Sequence, residues 1–141
     1  MLVLARTVTA AIAIGILGLA GSGAMTGDAD AGPEQFQERW GDLQCSGQVG
    51  SVDAVYPLGH VAGLQILIPE GMCSNKRMGM FPDTLLQIEG GAQVQWADVD
   101  CNGKISSVDA LWILRHVAGL GVPSFAGCPE IGAMTTLSHV Q

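Results

Sequence analysis

Basic residues are scarce in this chain of 141 residues, which has six Lys and Arg against 13 Asp and Glu and a formal net charge of −7. A surface of this sign repels nucleic-acid phosphates and anionic lipid headgroups. We therefore expect no nucleic-acid partner. Charged residues of both signs make up only 13% of the chain and apolar residues 48%, and much of that apolar excess lies at the N-terminus.

The sequence also lacks the short motifs of common catalytic and redox sites. There is no Gly-x-Ser-x-Gly nucleophile motif. There is no Cys-x-x-Cys pair either, so the four cysteines do not have the spacing of a redox or zinc site. Five of the 13 carboxylates fall in two short loops, described below, and the others form no catalytic constellation. We expect a protein that is not an enzyme.

No apolar run near the N-terminus reaches the roughly 20 residues that a membrane-spanning helix needs. Arg6 precedes an uncharged run at residues 8–20, and small residues follow it up to Ala24. This order predicts a secretory signal peptide over residues 1–24, cleaved after Ala24. An uncleaved anchor is the alternative, and it would keep the protein at the cell surface. With cleavage, the protein is secreted and has no stable membrane insertion.

The stretch from residue 98 to residue 109 has oxygen-bearing side chains at its first, third, fifth, ninth and twelfth positions. Calcium takes about six to eight oxygen ligands, and this is the ligand spacing of a twelve-residue calcium loop, with a glycine at the sixth position for the sharp turn. A metal-free turn rich in Asp and Asn, capping a helix, is the alternative. The predicted ligands are the side chains of Asp98, Asp100, Asn102, Ser106 and Asp109 and the backbone carbonyl of Lys104.

The same pattern occurs a second time. Residues 42–64 align with residues 98–120 without a gap, and thirteen of the twenty-three positions are identical. The first loop keeps both end carboxylates and the glycine but has Gln, Ser and Gly at the third, fifth and ninth positions. With two carboxylates instead of three, it either binds calcium far more weakly or forms only a structural turn. Its candidate ligands are Asp42, Gln44, Ser46, Gln48 and Asp53.

These two loop and helix units resemble a type I dockerin domain over about residues 40–131. The resemblance implies a mainly α, calcium-binding fold of two loop–helix repeats without the entering helix of an EF-hand. Its repeats would span residues 40–73 and 96–131, with a lead-in at 25–39, a connector at 74–95 and a tail at 132–141. The connector is longer than dockerins have, and each repeat carries two cysteines that the family does not require.

The resemblance also implies a partner. Dockerins bind cohesin modules, often in extracellular polysaccharide-degrading assemblies, through the tenth and eleventh loop positions and the exposed face of the following helix. A calcium-stapled structural or adhesion protein without a cohesin partner is the alternative. The implied contact residues are Ser107, Val108, Leu114 and Arg115 in the second repeat and Ser51 and Val52 in the first.

Four cysteines in an exported chain predict two disulfides, for which three connectivities are possible. Cys45 and Cys101 both occupy the fourth loop position, and Cys73 and Cys128 follow them by 28 and 27 residues. Because the offsets match, we predict that each repeat closes itself, as Cys45–Cys73 and Cys101–Cys128.

The two helices after the loops are expected to differ. In the first, Pro57 and Gly59 should distort or shorten the helix. In the second, Ser107 should cap a helix that continues to Ala118. Elsewhere we expect one or two helical turns at residues 33–40 and a short helix from Asp83 to residue 88. His60 and His116 occupy equivalent helix ends, which favours structural roles over a metal or acid–base pair.

Overall fold

The computed structural model describes residues 34–67, 72–73 and 81–140. The predicted signal peptide, most of the predicted lead-in and residues 74–80 of the predicted connector lie outside the described residues. Within the described ranges no helix is both long and apolar enough to cross a membrane. The elements in chain order are β1 Gln35–Arg39, α1 Val55–Val61, β2 Leu85–Ile88, β3 Gln93–Gln95, α2 Ser107–Val117 and β4 Met134–His139.

The four strands form one antiparallel sheet in the order β1-β4-β2-β3. Strand β4 lies inside the sheet, where Leu137 stands opposite Phe36 of β1 and Ile88 of β2. These three side chains are buried, and Leu137 is fully so. The sheet therefore joins the segment before the first loop to the end of the chain.

The expectation of a mainly α fold is wrong, because helices and strands contain equal numbers of residues. Two of the strands occupy segments predicted as helical turns: β1 lies within residues 33–40, and β2 lies within the helix expected after Asp83. In β1, burial alternates along the strand, with Phe36 and Glu38 inside. Its pairing partner is about 100 residues away, so no local pattern could reveal it.

Helix α2 follows the prediction closely, but its cap is one residue earlier than expected. The N-cap is Ser106, whose hydroxyl accepts a hydrogen bond from the backbone N–H of Val108 at 3.1 Å. The Asp109 side chain accepts from the Ser106 backbone N–H, which completes a capping box. The helix ends at Val117, with Gly119 in a left-handed conformation just beyond it.

Helix α1 is shorter than α2, with seven residues against eleven. Pro57 is its third residue, in the first turn, where a backbone N–H would have no intrahelical acceptor, so the expected cost of the proline does not arise. Gly59 is needed for packing, since a Cβ at this position would collide with the Ile66 side chain. The shortening was predicted correctly, but the reason given for Pro57 was not.

Both predicted disulfides are present: Cys45 pairs with Cys73 and Cys101 with Cys128, with Cα–Cα distances of 4.8 and 5.7 Å. They indicate an oxidising environment of the kind found outside the cell. Between the two repeats lies a core that no solvent reaches, made of Trp40, Leu43, Trp96, Val99 and Ile113.

Candidate metal centre

The first residue of the second loop, Asp98, is the anchor of the loop's conformation. Its carboxylate accepts hydrogen bonds from the backbone N–H groups of Asn102 at 3.0 Å and Gly103 at 2.8 Å. Gly103 takes up a left-handed conformation with φ 85°, and Cys101 does so with φ 54°. The turn therefore folds around one buried carboxylate, which is 1% exposed.

The last residue of the loop, Asp109, closes it from the opposite side. One of its carboxylate oxygens accepts from the backbone N–H of Asp100 at 3.4 Å, and the other accepts from the Ser106 N–H at 2.8 Å. The Ser106 hydroxyl also donates to it at 3.1 Å. Because Asp109 lies in the first turn of α2, the helix carries this carboxylate into the loop.

The three carboxylates predicted as metal ligands in this loop lie close together. Each of Asp98, Asp100 and Asp109 has a carboxylate oxygen within 4.8 Å of the others. Asp98 and Asp109 are buried and Asp100 is half-buried. Three negative groups brought this close repel one another, and a divalent cation among them would remove the repulsion.

The cost of this arrangement appears in the acid–base behaviour of the carboxyls. Burial raises the pKa of Asp98 from 3.8 to about 6, and a hydrogen bond with Asp100 adds to the rise. Burial also raises the pKa of Asp109, with the nearby charge of Asp100 acting in the same direction. Without a cation, the folded loop thus makes these carboxyls harder to ionise.

The first loop has the same hydrogen-bonding plan. The Asp42 carboxylate accepts from the backbone N–H groups of Ser46 at 2.9 Å and Gly47 at 2.6 Å. The Asp53 carboxylate accepts from the N–H groups of Gln44 at 3.0 Å and Gly50 at 2.7 Å. In both loops the first carboxylate binds positions five and six, and the twelfth binds positions three and nine. The backbone geometry is therefore shared although the side chains between the two carboxylates differ.

The first loop has fewer charged ligands to offer. Burial raises the pKa of Asp53, and the charge of Asp42 contributes. At the third position the Gln44 amide donates to the Ser46 hydroxyl at 3.3 Å, and that hydroxyl donates to the Gln48 carbonyl at 3.1 Å. Uncharged groups joined by hydrogen bonds, from Gln44 through Ser46 to Gln48, thus occupy the side of this loop where the second loop has the Asp100 carboxylate.

The remaining predicted ligands of the second loop lie on its rim. Asn102 and Lys104 are exposed, and the Asn102 side-chain oxygen accepts from the Lys104 N–H at 2.9 Å. Ile105, at the eighth loop position, is half-buried and packs against the core. A second group of potential ligands, Glu38 with Cys45 and Cys73, is not a metal centre, because its two sulfur atoms form a disulfide.

The two loops are tied together by a reciprocal pair of tryptophans that the sequence alone did not predict. The Trp40 indole N–H donates to the Val99 carbonyl at 3.1 Å, and the Trp96 indole N–H donates to the Leu43 carbonyl at 3.2 Å. Each tryptophan precedes its own loop by two residues, and each acceptor is the second residue of the other loop. The two rings meet edge to face with centroids 5.9 Å apart.

The residues implied as docking contacts are accessible. Ser51, Val52, Ser107, Val108 and Leu114 are exposed, and Arg115 is half-buried. Arg115 stands 5.7 Å from the centre of the Trp112 ring and donates two hydrogen bonds to the Gly121 carbonyl. The guanidinium is therefore fixed in place by the helix end.

Two rows of exposed apolar side chains, one in each repeat, include or flank these residues. They were not predicted from the sequence. Each unit exposes five apolar side chains at a spacing of three residues, and the members are equivalent in the two repeats. Within each helix, side chains at this spacing form a ridge across its surface. Val52 lies before α1, and Leu64 and Leu120 lie after the two helices. The repeat alignment could have revealed the rows, because the apolar character is retained at every pair. The pairs are Val52 with Val108, Val55 with Leu111, Leu58 with Leu114, Val61 with Val117, and Leu64 with Leu120.

Comparison with known proteins does not extend the resemblance. No protein-family model matches the chain, and neither a curated protein nor a solved structure is significantly similar to it. The resemblance to dockerins therefore rests on the loop spacing and the repeat alone, and these comparisons give it no support.

Proposed function

We propose that the protein is a secreted, non-enzymatic, calcium-stabilised docking module whose partner is a cohesin-type protein domain. The observation that carries this proposal is the carboxylate cluster of Asp98, Asp100 and Asp109, held by backbone donors inside a twelve-residue loop. By the same resemblance, the setting is an extracellular polysaccharide-degrading or cell-surface assembly.

Calcium is the ligand that this donor set fits best. All the candidate donors are oxygens, which hard cations prefer. Each carboxylate oxygen has two lone pairs, so one that accepts a backbone N–H can still bind an ion. The second loop, with three carboxylates, should bind more tightly than the first with two.

Docking is supported by the two apolar rows on the helices and the residues that flank them. A free domain gains nothing from ten exposed Val and Leu side chains in equivalent positions, whereas a partner surface that covers them removes apolar area from water. The second row starts at the loop that holds the carboxylate cluster and continues along the longer helix. Calcium would therefore hold the row in position, which reduces the ordering cost of binding.

A second candidate function is a structural or adhesion role without a cohesin-type partner. It is favoured by the two disulfides and the four-stranded sheet, which can stabilise the domain with no partner present. A pull-down from secreted proteins of the source organism, with and without chelator, separates the two. Calcium-dependent capture of a cohesin-type domain supports docking, and its absence supports the structural role.

Isothermal titration calorimetry tests the metal sites directly. We expect one calcium site to be clearly tighter than the other. Asp98→Ala should abolish the tight phase, and Asp42→Ala, its equivalent in the first loop, should leave it intact. Equal affinities, or no heat in the unmodified protein, would contradict the assignment.

The docking face is tested with a matched pair of substitutions at the eleventh loop position. We expect Val108→Asp combined with Arg115→Ala to weaken binding to the captured domain by at least about tenfold, about 1.4 kcal/mol. Val52→Asp should change it little, because α1 is the shorter helix. If binding weakens only when both repeats are substituted, the two repeats are interchangeable in docking.

A further inference from the structure

Each disulfide begins inside a candidate calcium loop, at its fourth position. Cys101 lies between Asp100 and Asn102, which are two of the predicted ligands, and Cys45 has the same place in the first loop. The other end of each bridge lies outside the loop, 28 residues further along the chain in the first repeat and 27 in the second. Each bridge therefore restrains the backbone segment that carries the ligands.

The two loop cysteines have a backbone conformation that their residue type does not favour. The φ angle is 54° at Cys101 and 56° at Cys45, and among the described residues all others with positive φ are glycines. This left-handed region is unfavourable for a residue with a Cβ, and Asn or Asp tolerates it better than cysteine. The disulfide supplies a covalent restraint at this unfavourable point of each loop.

The left-handed turn at Cys101 is also what gathers the ligands of the second loop. The Cys101 N–H donates to the Asp98 carbonyl at 3.2 Å, which closes the turn. On one side of the cysteine, the Asp100 N–H donates to the Asp109 carboxylate. On the other side, the Asn102 N–H donates to the Asp98 carboxylate. A different φ at Cys101 would turn these two neighbours away from each other and separate the ligands.

The far end of the second bridge is fixed against the core. Cys128 packs on the core cluster, and its Sγ lies 3.2 Å from the Val99 carbonyl oxygen. Because a bridged sulfur carries no hydrogen, this is a packing contact. The same carbonyl accepts the Trp40 indole hydrogen bond, which joins the two repeats. The bridge thus ties the fourth loop position to a part of the protein that calcium does not have to order.

Without calcium, the carboxylates oppose this arrangement. Asp98, Asp100 and Asp109 have oxygens within 4.8 Å of one another, and their mutual repulsion favours an open loop. With the bridge closed, the fourth position stays in place while no ion is bound, which reduces the ordering cost of binding. With the bridge open, calcium binding has to restore the left-handed conformation, and the affinity decreases.

We propose that the Cys101–Cys128 disulfide controls the calcium affinity of the second loop, so that the loop binds calcium tightly only in the oxidised protein. This inference rests on the proposed calcium function. A dithiol breaks the S–S bond by supplying two electrons and two protons, and it becomes a cyclic disulfide while both cysteines become thiols. By linkage, calcium must oppose this reduction by the same factor by which reduction weakens calcium binding.

The first test compares the two bridges, which form a matched pair. Their sequence separations of 28 and 27 give nearly equal stabilisation of the fold in the chain-entropy model. In calorimetry, Cys101→Ala with Cys128→Ala should weaken the tight calcium site by at least about tenfold, about 1.4 kcal/mol. Cys45→Ala with Cys73→Ala should change that site by less than about threefold. Equal affinities of the two variants at the tight site would overturn the proposal, because an effect through the stability of the whole domain is the same for both.

The second test uses the unmodified protein and remains decisive if a variant does not fold. The protein is equilibrated in dithiothreitol redox buffers with millimolar calcium or with chelator, free thiols are alkylated, and each cysteine pair is quantified by peptide mass spectrometry. Calcium should increase the ratio of dithiol to disulfide needed to reduce Cys101–Cys128 by at least about tenfold, about 30 mV. Cys45–Cys73 should be protected clearly less. Equal protection of the two bridges, or none, would overturn the proposal.

Failure of this inference and failure of the proposed function give different results. If the oxidised protein binds calcium and the variant without Cys101–Cys128 binds it equally well, the disulfide control is wrong and the metal site stands. If the oxidised protein gives no calcium binding in calorimetry, the metal site is wrong and the disulfide control is wrong with it.

Discussion

The buried carboxyls of the second loop predict an unusual dependence of stability on pH. In most proteins, acid destabilises the fold because carboxylates are stabilised in the folded state. Here the folded pKa values of Asp98, Asp109 and Asp53 are raised, chiefly by burial. The folded protein without calcium thus binds more protons than the unfolded chain. Its free energy of unfolding should decrease as the pH rises from about 4 through about 6.

The size of this decrease in the free energy of unfolding follows from Asp98, whose pKa is raised from 3.8 to about 6 in the folded state. One pKa unit corresponds to about 1.4 kcal/mol, so the upper limit of its contribution is about 3 kcal/mol. Solvent that enters the loop screens part of this, and we expect about 1–3 kcal/mol. For a domain of this size such a loss lowers the unfolding temperature by at least about 4 °C.

Calcium should reverse the trend. The ion competes with protons for the same oxygens, so its binding and the stability it provides increase with pH. In thermal unfolding followed by circular dichroism, metal-depleted protein should become less stable between pH 4.5 and 7.5, and protein in millimolar calcium more stable. Asp98→Asn should flatten the metal-free curve. A metal-free protein that gains stability over this interval, or an absence of any calcium effect at pH 7.5, would refute the reasoning.

Three further predictions concern the scaffold. Trp96→Phe and Trp40→Phe should each lower the free energy of unfolding by about 1–3 kcal/mol in denaturant titrations, because each leaves a buried carbonyl without its donor. Very unequal values for the two variants would contradict the reciprocal arrangement. Removing the Cys101–Cys128 bridge with paired alanines should cost roughly 3 kcal/mol, and an unchanged denaturation midpoint would show that the loop closure does not matter. Gly59→Ala should destabilise by at least about 1 kcal/mol by displacing a packed side chain, whereas a neutral effect would mean that the helix end can repack.

The parts of the structure that sequence reasoning predicted are those specified by short-range spacing. The loop geometry follows from residues at fixed positions within twelve, because Asp98 can reach only the nearby N–H groups of its own turn. The disulfide pairing followed from matching offsets of the cysteines in the two repeats. Helix α2 followed from its apolar residues and its cap, although the capping residue is Ser106 and not Ser107.

The sheet could not be predicted in the same way. Strand β1 is five residues long, and its partner β4 lies in a tail without a recognisable pattern. Such strands become stable only after the chain has brought them together, so their local sequence carries little information. Asp83 is a helix-capping residue type, which favoured a helix here. The buried side chains that follow, Leu86 and Ile88, are two residues apart, and this is the spacing of a strand such as β2. Tertiary pairing overrode the capping signal.

The reciprocal tryptophan bonds have a consequence for how the two repeats can exist. The contact between the repeats is isologous, in that each half offers the same donor and the same acceptor to the other. A single repeat on its own would expose to water the tryptophan and the carbonyl that the other repeat covers, and a second copy of itself could cover and pair both. Peptides of the first or the second repeat alone should therefore be unfolded or form symmetric dimers. The same geometry would allow a duplicated gene to replace an ancestral dimer without a change in the contact itself.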